Sequence, residues 1–589
     1  MERWVEIRKA GNFMELAEKV GISPVTARVL RNRELLNDKD MKAYLYPDET
    51  AFHDSGLLSG IEKAVFVVAN KINLGKKIRI IGDYDVDGVC ATYILFKGFS
   101  FMGADCDYRI PHRISDGYGI NKDMITKAAA DGIDTIITCD NGISAYDQTE
   151  YANELGITMV ITDHHEVPYE VIDDIREYKI PNASAVVDPK LPEETYPFSG
   201  ICGAFVAYKF ICEFAKRQNA VGRLFDELSQ ELMEFAALAT VCDVMELKDE
   251  NRALVKRGIE LMTHSKNVGL RALLQVTGLN NRALSTYSLG FVIGPCINAS
   301  GRLDTSLKAL NLLLEESPDE ALKKATELKM LNDERKEMTL TAVDKACKVL
   351  DAKDKLSEVI VICLTDCHES LAGIVAGRIR EKYGRPTFIV TPTENGLKGS
   401  GRSIEAYDMY AGLVEVGGLL DKYGGHKMAA GISLKAENLN EFEEKLNTNS
   451  KLCEDDFCET VRLDMELPFV YISMSLAREL ELLAPFGTGN EKPLFARTNV
   501  TFISGHTMGH NGNAARYKVC DDGEHVYELT YFGDIQGLER FVEEIYGTQK
   551  AMALHSGARV DIKLDIAYEI SINSYNGRES VQMLMKHYR

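Results

Sequence analysis

The chain has 589 residues, 45% hydrophobic and 27% charged, a composition that excludes disordered and fibrous classes and suits about four globular domains. No apolar run reaches the roughly 18 residues of a membrane helix, and Met1-Glu2-Arg3-Trp4 carries charge in place of an apolar signal core. The expectation is therefore a cytoplasmic protein with no membrane partner. The net charge of −21 argues against polyanion binding over the whole surface, so a nucleic-acid partner requires a local basic groove. The 13 cysteines are scattered with no Cys-x-x-Cys pair and read as reduced, buried thiols.

In chain order, residues 1–60 read as helical. Leu16 to Arg28 has the outline of a helix-turn-helix with Gly21 at the turn, and the plainer reading is an amphipathic pair packing on the next domain. Residues 61–190 alternate strand and helix, with strands ending near 82, 139, 162 and 187, which predicts a parallel sheet covered on both faces. Residues 200–310 read as helical, with the apolar run Leu232 to Ala239 leading to Asp243. Ser317-Pro318-Asp319-Glu320 predicts a capping box with Pro at the first helical position, opening a helix to about Leu350, about 50 Å long. A second α/β unit follows, with strands at Val359–Leu364 and Thr387–Val390. Its Gly-rich segments Gly399-Ser400-Gly401-Arg402-Ser403 and Gly424 to Gly431 read as turns. From about 460 onward, β-rich runs such as Thr498–Ile503 and Val526–Phe532 predict a small barrel.

The chemistry lies where the first strands end. Asp83, Asp85 and Asp87 follow Ile78–Ile81, Asp140 follows Thr135–Cys139, and Asp163-His164-His165 follows Met159–Thr162. The carboxyl ends of parallel strands converge on one crevice. So many anions in one place repel one another unless a cation sits among them. Asp-x-Asp-x-Asp-Gly also opens an EF-hand loop, but position 12 counted from Asp83 is Ile94, where a bidentate Glu is required. Carboxylates with imidazole suit Mn²⁺ or Mg²⁺ better than a thiolate zinc site. Two such ions about 3.5–4 Å apart support phosphoryl displacement. One carboxylate would bridge both, and one histidine would be left for the phosphate or the leaving oxygen.

These residues resemble the DHH phosphoesterase superfamily, whose triplet is Asp163-His164-His165. Gly82 to Gly88 and Asp140-Asn141-Gly142 resemble its first two motifs, and Asp243 in Ala239 to Val244 its fourth. Gly424-Gly425-His426 with Ala429-Ala430-Gly431 resembles the DHHA1 signature, and Pro485 to Asn490 with Pro493 and Phe495 resembles the segment joined to an OB-fold in the RecJ family. The resemblance covers nearly the whole chain in order. It implies an N-terminal helical segment (1–60), a parallel-sheet DHH catalytic domain (61–310) and a connecting helix (311–352). A smaller α/β DHHA1 domain (353–450) and a C-terminal β-barrel of OB type (455–589) would follow.

The resemblance also implies roles. Asp85, Asp87, Asp140, His164 and Asp243 would be metal ligands for two divalent cations, Mn²⁺ or Mg²⁺, with Asp140 the bridge. His165 would contact the scissile phosphate, and Asp163 would orient a histidine. Small-substrate relatives carry a His where this chain has Ile81, and Asp83 is the acid available to fill that place. Arg113, Arg302, Ser400, Arg402 and His426 would bind phosphate or DNA. Arg offers a planar fork to phosphate oxygens, and flanking glycines admit backbone N–H groups to an anion. His368 is matched equally by a helix-capping role. Tyr517, Tyr527, Tyr531 and Phe532 in the barrel are matched better by core packing.

The implied function is a metal-dependent 5′ to 3′ exonuclease of single-stranded DNA in repair and recombination. A helicase and a single-strand-binding protein stay open as partners, and RNA stays open as a substrate. Three rivals remain: a DHH phosphodiesterase of short oligonucleotides or cyclic dinucleotides, a relative that keeps the fold as a scaffold without catalysis, and a regulator reading DNA through residues 16–28. Residues 460–589 argue against the first and the intact acids and histidines against the second.

Overall fold

A computed structural model describes residues 2–172, 175–220, 222–394, 396–509, 513–575 and 577–589. The chain divides into two compact units, residues 52–457 and residues 1–51 with 458–589.

The larger unit begins with five parallel strands in the order Cys106–Arg109, Ile78–Ile81, Thr135–Cys139, Thr158–Thr162 and Ala185–Val187. The β-branched runs Ile78–Ile81 and Thr135–Cys139 are buried throughout, as strands covered on both faces must be. Alternate residues feed two cores. Ile78, Ile80, Ile137 and Val160 join one, while Ile81, Ile136 and Met159 join the other. Strand Ile78–Ile81 lies between the next two strands of the sequence, so the connections leave it in opposite directions. A crevice opens at such a switch point, at the carboxyl ends. The edge strand Cys106–Arg109 and an exposed hairpin, Tyr169–Ile172 with Ile175–Tyr178, escape a sequence reading because neither shows a buried-strand pattern.

Helix Pro318–Asp351 runs 34 residues. Ala321, Ala325 and Leu328 pack into the core of the first sheet, and Ala342, Ala346 and Leu350 into that of a second. The expected capping box does not form. The Ser317 side chain makes no cap bond, and its N–H donates to Glu315 Oε1 at 2.9 Å. The second sheet has the order Leu420–His426, Ala429–Leu434, Gly396–Arg402, Thr387–Thr393 and Ile360–Cys363. The Gly-rich segments expected as turns are thus strands. A Cβ on Gly401 would sit 2.5 Å from Phe388 Cε1 and 2.4 Å from Met409 Sδ, so glycine is what lets these side chains cover the sheet.

In the other unit six strands form a sheet closed by pairing of Phe495–Met508 with Ile562–Tyr575, the expected barrel. Helices Phe13–Val20 and Pro24–Asn32 meet at Gly21, but Val29, Leu30, Met41 and Leu45 belong to the barrel core. The pair therefore packs on the C-terminal barrel and not on the domain that follows it, and its apolar face is occupied. Asn490 fixes the junction, accepting from Arg33 Nε at 2.8 Å and Tyr44 OH at 2.6 Å. Residues Glu2–Glu6, read as part of a helical segment, form a strand parallel to Glu459–Leu463. Among the described residues no helix is long and apolar enough to cross a membrane.

Candidate active site

Strand ends and one helix end bring the eight acidic and imidazole groups named above into one crevice. Asp83 and Asp85 follow Ile78–Ile81, and Asp85 caps helix Val86–Phe101 by accepting from Gly88 N at 3.1 Å. Asp87, in the first turn of that helix, points at the start of helix Gly203–Arg217. Its Oδ2 accepts from Gly203 N and its Oδ1 from Ala204 N, both at 2.7 Å, an anion held by a helix N-terminus. Asp140 follows its strand with φ +59, a strained conformation of the kind that clusters at functional sites. Asp243 is the C-cap of helix Arg223–Cys242, so it arrives from a helix end and not a strand end.

His164 is the focus. Its Nε2 lies 3.1 Å from Asp140 Oδ1, 3.4 Å from Asp87 Oδ2 and 3.7 Å from Asp243 Oδ2. Three overlapping sets could each surround a cation: Asp140, His164 and His165; Asp87, His164 and Asp243; and Asp83, Asp85 and Asp140. Asp163 is engaged elsewhere. Its Oδ1 accepts from His164 N at 2.7 Å, His165 N at 3.2 Å and the His165 ring at 2.7 Å, and its Oδ2 from Ile143 N at 2.9 Å. It holds both histidines from behind.

The electrostatics match a site short of positive charge. Burial, then the neighbouring carboxylates, pushes Asp83, Asp85 and Asp140 above the usual carboxylate range, and takes Asp243 to about 8. Burial lowers His164. Burial also works against charge on His165, but the hydrogen bond and charge of Asp163 outweigh it and raise the ring to about 9. Burial raises Asp163 too, yet the His165 bond and its charge leave it below the usual range. Asp83 Oδ1 is buried without a hydrogen-bond partner. Hard oxygens, one imidazole and an orphaned carboxylate oxygen are a donor set for hard divalent cations. Ile81 is fully buried in the core.

Of the other residues singled out, Arg113 and Ser400 line one cavity of about 510 Å³ with Tyr84, Tyr118 and Ser370, between the first and second sheets. The Arg113 guanidinium lies 4.6 Å from the Tyr84 ring centroid. Arg302 donates to Ser370 O at 2.7 Å, and burial followed by the charges of Arg113 and Arg335 lowers it to about 9. Arg402 donates to Gly401 O at 2.7 Å; burial, then Arg113, lowers it as well. His426 sits apart, exposed at the end of its strand and outside the cavity lining. His368 caps a short turn, its Nδ1 facing Ser370 Oγ at 2.7 Å. Tyr517 and Tyr531 are core, Tyr527 is half-buried and Phe532 is exposed.

Two residues of the crevice carried no name in the sequence reading, and neither did Arg335, whose charge is felt by Arg302. Tyr118 donates to Asp140 O at 3.2 Å and packs edge-on against His165 and Tyr84; its only signal is two flanking glycines. Asp188 ends the strand Ala185–Val187 as the other acids end theirs, so strand-end spacing could have found it. It is fully buried, its Oδ2 has no partner, and burial, then Asp163, raises it to about 7. Arg335, on the long helix, has only helical periodicity to mark it.

The sheet, the crevice and the order of its motifs define a DHH-type protein. The model "DHH family, N-terminal domain" matches residues 77–240, the DHHA1 domain 357–451 and the RecJ OB domain 463–587. The single-stranded-DNA-specific exonuclease RecJ of Bacillus subtilis is 30% identical over 97% of this chain and 68% of its own. That of Escherichia coli is 30% identical over 90% of each. The crystal structure of RecJ in complex with Mn²⁺ from Thermus thermophilus superposes with a TM-score of 0.81 at 26% identity, covering 100% of this chain and 79% of that one. The chain belongs to the RecJ family.

Proposed function

We propose that this protein is a metal-dependent exonuclease that hydrolyses phosphodiester bonds of single-stranded DNA from the 5′ end, in DNA repair and recombination. The observation that carries the chemistry is His164 Nε2 within 3.1–3.7 Å of three carboxylates from three separate elements. The substrate comes from the relatives, which are named as single-stranded-DNA-specific exonucleases, and one of which was solved with Mn²⁺ and with Mg²⁺.

In this reading Asp85, Asp87, Asp140, His164 and Asp243 would hold two divalent cations, Mn²⁺ or Mg²⁺, with Asp140 the residue that would serve both and Asp83 the one that would stand in for the ligand Ile81 cannot supply. Such a pair supplies an activated water and charge neutralisation for phosphoryl transfer. The chain does the rest. Asp163 fixes the His165 ring from behind, accepting from it at 2.7 Å, which orients the imidazole to contact the scissile phosphate. Arg113, Arg302, Ser400 and Arg402 seat the phosphates beyond the crevice. A narrow passage excludes duplex by size and reads no base. A helicase that separates the strands and a single-strand-binding protein that keeps them apart are the partners such selectivity calls for.

The test is digestion of 5′- and 3′-labelled single strands and of duplex with Mn²⁺ or Mg²⁺, against Asp140→Ala. Expected are mononucleotides released from the 5′ end of the single strand and an inert, folded variant. Cleavage retained by Asp140→Ala would remove Asp140 from the mechanism, and preference for cyclic dinucleotides would replace the substrate.

A further inference from the structure

Tyr287 and Phe291 lie 67% and 64% exposed, with ring centroids 5.0 Å apart and planes 20° from parallel. Single exposed apolar side chains are ordinary. A stacked pair turned to water is not, because it forgoes burial twice at one place. Phe291 lies in a π-helical turn, Ser288–Ile293, whose N-cap is Tyr287 and which runs straight into helix Gly294–Leu303. Such turns are rare and frequent at functional sites.

The face this segment leaves accessible is continuous with the site. Phe291 is exposed and Pro295, Asn298 and Arg302 are half-buried, while the residues between them, such as Ile293, Ile297 and Ser300, are buried. These four positions recur at helical spacing and form one stripe. Its far end is anchored in the crevice: Asn298 Oδ1 accepts from Val86 N, between Asp85 and Asp87, at 3.2 Å, and Arg302 donates to Ser370 O. Its near end is seated on the helix that presents Asp243. The Cys242 thiol meets Leu289 O at 3.6 Å, and a Cβ on Gly294 would lie 2.4 Å from Cys242 Sγ. From Phe291 to Arg302 the stripe spans about 16 Å at ~1.5 Å per residue.

We infer that Tyr287 and Phe291 form a stacking platform for nucleobases of the substrate strand, one short stretch of nucleotides away from the phosphates held at Arg302. The inference rests on the nuclease reading above and adds a base-binding site to it. Every base has a π face, so aromatic stacking grips a strand without reading its sequence, which is what an exonuclease requires. The exposed stacked geometry leaves an outer ring face for a base to extend the stack. The seat of the turn on the Cys242–Asp243 end keeps that stack in line with the candidate cleavage site.

The test uses the full-length protein with Tyr287→Ala, Phe291→Ala, Tyr287→Phe and Phe291→Trp. Anisotropy of a 3′-labelled 20-nucleotide oligo(dT) is read in EDTA, and KM and kcat are read with Mn²⁺ on the same strand and on a dinucleotide. Each alanine variant should weaken 20-mer binding by about fivefold or more and raise its KM with kcat held. Dinucleotide cleavage should be unchanged, and the aromatic variants should restore binding. Equal losses on both substrates, no loss on the 20-mer, failure of the aromatic variants to restore it, or a changed oligomeric state with DNA affinity intact would overturn the platform. Failure of the unsubstituted protein to cut either substrate would overturn the nuclease reading instead, so the two failures are distinguishable.

Discussion

A single methyl group at Gly203 should disturb two candidate ligands at once. A Cβ there would stand 2.7 Å from Asp140 Cβ, 2.9 Å from Asp140 Cα and 3.0 Å from its Oδ1, all within the range that forces movement. The Gly203 N–H also holds Asp87 Oδ2 at 2.7 Å. Asp140 has little room to retreat, because its backbone already occupies the left-handed region and its N–H is bonded to Thr162 O at 3.1 Å. Ordinary contact needs at least 3.4 Å, so one of the two must shift by about 0.7 Å, and overpacking of that kind costs about 1–3 kcal/mol. Propensity pulls the other way, since Gly→Ala within a helix normally stabilises by roughly 0.5–1 kcal/mol. Gly203→Ala should therefore destabilise the protein against that trend. It should also lower kcat by about 10²-fold, the usual price of misplacing a catalytic group by about 1 Å. Thermal unfolding, Mn²⁺ titration by calorimetry and initial rates on single-stranded DNA measure the three effects. A variant with full activity and unchanged Mn²⁺ affinity would refute the reasoning that Asp140 and Asp87 are held in register through this helix start.

Asp163→Asn should leave the fold in place but cost about 1.5–3 kcal/mol through loss of charge-assisted bonds. Without the carboxylate, the His165 ring should fall from about 9, which a histidine NMR titration would follow. The pH dependence of the metal-free protein has a definite sign. The raised Asp243, at about 8, with Asp83, Asp85 and Asp140, keeps protons in the folded state that the unfolded chain has already released. Their stability contribution is present below the ordinary carboxylate range and is lost as pH rises toward 8. Cations compete with those protons, so the rise in Tm on adding Mn²⁺ should be larger at pH 8 than at pH 6; an increment independent of pH would contradict this. Arg302→Gln should weaken single-strand binding and lower the slope of log affinity against log salt by about 0.7, whereas an unchanged slope would remove Arg302 from phosphate contact.

The first sheet was legible because Ile78–Ile81, Thr135–Cys139 and Thr158–Thr162 are apolar runs bounded by acids, a pattern that fixes strand, burial and crevice together. The long helix was legible from Ser317-Pro318 onward, although its side-chain cap was not, since a rival acceptor, Glu315, lies two residues before it. The Gly-rich strands were misread because glycine signals a turn locally, and only the tertiary contact of Gly401 with Phe388 and Met409 explains it within a sheet. The placement of the first 51 residues with the last 132 was invisible, as no local pattern carries a contact such as Asn490 with Arg33. In the crevice, acids announced themselves through spacing. Tyr118 did not, because its role depends on neighbours that arrive from elsewhere in the chain.

The −21 charge and the proposed polyanionic substrate are reconciled by where the protein withholds its acids. Several arginines elsewhere in this chain are neutralised at close range: Arg28 by Glu6 at 2.7 Å, Arg79 by Asp107 at 2.7 Å and Arg217 by Glu213 at 2.6 Å. Arg113, Arg302, Arg335 and Arg402 have no carboxylate within 4.0 Å among the described residues. Arg335 spends its fork on Asn332 Oδ1 instead, at 3.0–3.1 Å. Burial, together with one another's charge, lowers the proton affinity of Arg302 and Arg402, so these cations sit in a place that costs free energy in the protein alone. The acids of the crevice show the opposite excess, anions raised by anions. Two uncompensated clusters of opposite sign, side by side, make sense if each is neutralised by something the chain does not encode: divalent cations in the first and phosphates in the second. A phosphodiester held at their boundary touches both.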